Sequence, residues 1–113
     1  MPKFRLTLRI VFYRESGRWI AHCLEMNLIG DGRTQAEALA SLQTAITVQF
    51  RATLKYGNAA NLFCPADPVV FQMFAAGRDV ARGEIEFGSQ PPLEVQSIEI
   101  RRFGGTSALS KVA

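Results

Sequence analysis

From Lys3 to Tyr13 the apolar side chains Phe4, Leu6, Leu8, Ile10 and Phe12 alternate with Lys3, Arg5, Thr7 and Arg9. Successive side chains of an extended strand leave opposite faces of the sheet, so this period of two predicts a β-strand with one face buried. A helix does not fit the pattern, because its apolar positions recur every three or four residues. The segment Arg14-Glu15-Ser16-Gly17-Arg18 is polar and carries a glycine, and it is followed by the β-prone run Trp19-Ile20-Ala21-His22-Cys23-Leu24. A hairpin is the simplest connection between two such runs. A third short strand near Asn27-Leu28-Ile29 would complete an antiparallel meander.

Gly30-Asp31-Gly32-Arg33 then reads as a break in the strand, and Thr34-Gln35-Ala36-Glu37 as a capping box opening a helix. In that motif threonine and glutamate satisfy backbone N–H groups that the first turn leaves without partners. Leu39, Leu42, Ile46, Phe50 and Leu54 follow at spacings of three and four, a stripe able to lie across a three-stranded sheet. Tyr56-Gly57-Asn58 is the expected end of the helix, with glycine suited to the left-handed cap.

The second half has a weaker pattern. Asn61 to Pro68 holds two prolines and no clear period, and Asp67 or Pro68 is placed to open a short helix over Val70, Phe71 and Phe74. Gly77 and Gly83 are expected to bracket a basic turn, Glu84 to Phe87 to form a short strand, and Gly88-Ser89-Gln90-Pro91-Pro92 to interrupt the chain. Leu93 to Phe103 reads as a last strand through Val95, Ile98, Ile100 and Phe103, its irregular alternation suggesting a bulge.

With 113 residues, 48% of them hydrophobic, the chain can fill one compact core. One domain over residues 1–103 with a disordered tail at 104–113 is expected. Its longest strongly apolar stretch, Val69 to Ala76 broken only by Gln72, is far short of the roughly 20 residues a membrane-spanning helix requires. The first residues carry no secretory signal pattern, which favours a cytoplasmic location. Cys23 and Cys64 form no paired motif and are expected to be reduced packing residues.

The order strand, strand, strand, capped helix, with Gly17-Arg18-Trp19-Ile20-Ala21-His22-Cys23-Leu24-Glu25 followed by Gly30-Asp31-Gly32-Arg33-Thr34-Gln35-Ala36-Glu37-Ala38, resembles the HicB-like antitoxin family over roughly residues 4 to 55. The resemblance implies an α+β fold, a partial RNase H-like arrangement in which one long helix packs an antiparallel meander. A short second helix and one or two C-terminal strands would complete it. It also implies a non-catalytic protein-interaction domain that covers a small RNA-cleaving toxin. Many members add a helix-turn-helix or ribbon-helix-helix for operator DNA, and no such module is legible after residue 55.

The residues do not point to an enzyme, a cofactor or a metal site. His22 and Cys23 are neighbours on a strand and so face opposite ways, which prevents a nucleophile and base pair. A single histidine leaves no second imidazole for zinc, and Gly30-Asp31-Gly32 lacks the lysine and glycine spacing of a phosphate loop. A nuclease of RNase H type would need converging carboxylates. Glu25, Asp31 and Glu37 are the only nearby candidates, with Glu37 explained by capping and Asp31 by turn chemistry. The second functional reading is a nucleic-acid-binding module that uses a basic strand face of Arg5 and Arg9, with Arg14 and Arg18 nearby and Arg101 from the last strand. Trp19 is a core or interface anchor, and the sheet edges favour a homo-oligomer.

Overall fold

A computed structural model describes residues 4–56, 64–83 and 93–106. Its elements are β1 (Phe4–Glu15), β2 (Arg18–Cys23), β3 (Leu28–Gly32), α1 (Gln35–Tyr56), α2 (Pro68–Ala76), β4 (Arg78–Gly83) and β5 (Leu93–Thr106). They build an α+β domain on one mixed five-stranded sheet of order β3-β2-β1-β5-β4. The meander expected from the first half is present, with β1 antiparallel to β2 and β2 antiparallel to β3. The other side of β1 pairs in parallel with β5, from Phe4 opposite Leu93 onward. That places the first strand in the centre of the sheet.

The β1–β2 hairpin turns at Ser16 and Gly17, with φ of 52° and 78°. Positive φ at both central residues gives a turn whose twist matches the flanking strands, and glycine accepts that conformation at least cost.

Alternation along β1 divides the core in two. Leu8, Ile10 and Phe12 face α1 and pack with Ala21, Cys23, Leu42, Ile46, Phe50, Ile98 and Ile100. Val11 and Tyr13 face the other way, against Val70, Met73 and Phe74 of α2. Each face of the sheet therefore has its own helix. The capping box forms in a shifted version: the Glu37 N–H donates to Thr34 Oγ1 at 3.1 Å, while Glu37 Oε2 accepts from the N–H of Arg33 at 2.8 Å.

Three expectations are corrected. Gly30 and Gly32 belong to β3 and do not break it, because both lie on the face beneath α1. A Cβ on Gly30 would meet Leu42 N and Ala38 O and come within 2.8 Å of Leu42 Cα. A Cβ on Gly32 would lie 2.7 Å from Ala38 N. These glycines serve close approach of a helix to a strand. Second, Arg78–Gly83 is the edge strand β4, paired antiparallel to β5, where a turn was expected. Third, β5 continues past Phe103 to Thr106. Its register against β1 shifts twice, between Leu6 and Thr7 and between Phe12 and Arg14, in keeping with the irregular alternation. The strand expected at Glu84–Phe87, the break at residues 88–92, the helix end at Gly57-Asn58 and the tail at 107–113 lie outside the described residues.

Candidate functional site: an arginine-lined cleft

Of the basic strand face expected along β1, Arg9 is taken up in internal contacts. Arg9 lies on the α2 side, its Nε 2.7 Å from Glu25 Oε2, while its backbone N–H donates to Glu25 Oε1 at 2.7 Å. Glu25 thereby completes the ladder just where β2 stops. The Arg9 guanidinium also sits over the rings of Phe71 and Phe74, at 5.2 and 5.9 Å. Arg101 approaches Phe74 from the neighbouring strand at 4.4 Å, pairs with Asp79 at 3.1 Å, and donates to the Phe74 carbonyl at 3.1 Å near the C-terminal end of α2. A cation at that helix end meets carbonyls that lack intrahelical partners. The structure thus brings Arg9 and Arg101 together around Phe74, as clamps on α2. The Arg5 side chain lies outside the described residues.

Trp19 lies on the opposite face, half-buried against the α1 cluster, with the Arg14 guanidinium 5.1 Å from its ring. The carboxylates weighed as nuclease ligands are separated. Glu25 holds Arg9, Glu37 caps α1, and Asp31 forms an exposed ion pair with Arg18 at 2.8 Å that replaces the expected turn role. Among the described residues no group of three or more His, Cys, Asp or Glu side chains is placed to hold a metal ion.

His22 and Cys23 leave opposite faces of β2, with Cys23 in the α1 core and His22 on the α2 side. His22 Nε2 lies 2.8 Å from Asn27 Oδ1 and His22 Nδ1 lies 2.9 Å from the Tyr13 hydroxyl. A carbonyl oxygen only accepts, so Nε2 carries the proton and Nδ1 accepts from the phenol. Burial holds the imidazole below its ordinary pKa, although the Asn27 hydrogen bond and the Asp67 and Glu15 carboxylates act the other way. Burial, with Glu15 adding to it, pushes the Tyr13 phenol up. Both effects keep this chain neutral and fully bonded, which is the chemistry of a polar strut.

A concave surface of about 520 Å³ opens at the end of the sheet where β1 and β5 finish and β4 begins, lined by Arg14, Trp19, Arg78, Arg102 and Phe103 among others. No residue of α1 lines it. Arg14 comes from β1, Arg78 from β4, and Arg102 from β5. Arg78 and Arg102 stand directly opposite each other in the antiparallel register. Of these residues the sequence singled out Trp19, with Arg14 only as a neighbour of the basic face. Arg78 was hidden by the reading of its segment as a turn.

The architecture is an α+β sheet covered by a helix on each face, with a cationic cleft at one end. No protein-family profile, no curated protein and no solved structure matches the chain. No described helix is long and apolar enough to cross a membrane.

Proposed function

We propose that this chain is a non-catalytic protein-interaction domain of the HicB-like antitoxin kind, which works by covering the RNA-cleaving surface of a small toxin. The observation that carries this reading is the outer edge of β3. It is a terminal strand of the sheet, so among the described residues no strand neighbours its outward side, and Ile29 on it is 50% exposed. An edge strand with an exposed apolar side chain suits an added partner strand, where main-chain bonds give affinity and the side chain gives specificity. The meander and the glycine-bedded, box-capped helix behind that edge agree with the family-like segment, and α1 gives the edge rigid support.

The test is affinity purification of the tagged chain from its native cells, with mass determination of the complex and an RNA-cleavage assay on the partner. The expected result is a small ribonuclease at fixed stoichiometry, inactive in the complex and active once released, whose capture weakens on Ile29→Arg substitution. Recovery of the chain alone, or of a ribonuclease that stays active when bound, overturns the reading.

A further inference from the structure

We propose that the cleft between the ends of β1, β5 and β4 binds a phosphate group attached to a flat ring, the unit shared by a free nucleotide and the end of a single-stranded RNA. The proposal is independent of the toxin reading, which rests on the opposite edge of the sheet.

Like charges directly opposite on antiparallel strands destabilise the pair, yet Arg78 and Arg102 occupy such a position. Among the described residues no carboxylate pairs with either; Asp79, next in sequence, turns to Arg101 on the other face. Arg14, the third guanidinium, donates only to the Gly17 carbonyl, at 3.3 Å, and lies against the Trp19 ring. Three cations from three strands thus line one concavity, and among the described residues no carboxylate lines it with them. By contrast Arg9, Arg18 and Arg101 each have a carboxylate within 3.1 Å.

Guanidinium groups present planar forks of donors that match phosphate oxygens, and several forks around one cavity favour phosphate over a single carboxylate. Trp19 and Phe103 line the same concavity. Aromatic and guanidinium planes are the surfaces on which bases stack without sequence preference. The volume of about 520 Å³ lies in the usual range for small-ligand sites.

Trp19 is the only tryptophan, so its fluorescence reports on the cleft directly. Intact protein would be titrated with inorganic phosphate, adenosine monophosphate and a short oligoadenylate RNA, each at low and moderate salt, with calorimetry as a second readout. A saturable response to the nucleotide or the oligomer, stronger than to phosphate and weakening with salt, is expected. Arg78→Gln and Arg102→Gln should each weaken it by about tenfold or more, the loss of one charge-assisted contact. Neither substitution should lower the melting temperature, since each relieves a like-charge pair; an arginine with a merely structural role would lower it. Comparable binding of nucleotide and oligomer identifies a free nucleotide as the ligand, whereas tighter binding of the oligomer identifies RNA. Absence of saturable binding to both, equal response to phosphate alone, or affinity unchanged in the double variant overturns the proposal.

Discussion

At the scale of single residues, the groups that look most reactive in the sequence are the ones most firmly held. His22 is buried with both ring nitrogens bonded, and its pKa lies below the ordinary value of 6.5. The unfolded chain therefore takes up a proton first as pH falls. Stability contributed by the neutral ring is complete above about pH 7 and declines as pH drops below about 6.5. Melting curves from pH 8 to 5 should show this acid limb in the native protein and a shallower one in His22→Gln; identical slopes would remove His22 as its cause. Cys23 follows the same logic at the other end of the scale. Burial pushes its thiol up to about 12, whereas Cys64 is exposed. A disulfide-exchange reagent at pH 8 should titrate Cys64 at once and Cys23 only after denaturant is added. Prompt reaction of both would contradict the packing of Cys23.

At the scale of elements, α1 lies on β3 because two side chains are missing. Gly30→Ala should cost about 1–3 kcal/mol by forcing α1 off the strand. Gly17→Ala, where a Cβ meets nothing within 4 Å, should cost about 1–2 kcal/mol through its positive φ alone. Urea melts of the two variants separate these causes, since only the first should also loosen the α1 core. Both glycines were visible in the sequence, but only one meaning was. A glycine beside polar residues reads as a turn, and what makes Gly30 a contact point is the next helix folding back so that Ala38 and Leu42 lie over it, which no local pattern announces. Legible were the features fixed by near neighbours: the period of two in β1, the hairpin, the capping box, and a helix opened by Pro68. Hidden were those that need distant partners. Arg78–Gly83 has too little apolar content to announce a strand and becomes one by pairing with β5. The pairing of Arg78 with Arg102, on which the cleft depends, was hidden for the same reason.

At the scale of the molecule, β3 and β4 are the edge strands among the described residues, and Ile29 on β3 and Val80 on β4 are 50% and 48% accessible. Such edges favour pairing between copies, and self-association through β3 would place it in competition with the proposed toxin. Sedimentation at rising concentration should show oligomers that Ile29→Lys shifts toward monomer; a native chain that stays monomeric throughout would exclude the homo-oligomer. The central place of β1 bears on synthesis as well as on shape. It precedes every other strand in the chain, while the strand that closes its second side comes after all of them. At translation rates of roughly 5–20 residues per second, the gap between Phe4 and Leu93 leaves that apolar strand with one side open for on the order of ten seconds. The nascent chain on the ribosome, more than the finished domain, is then the species in which β1 must be shielded from other strands.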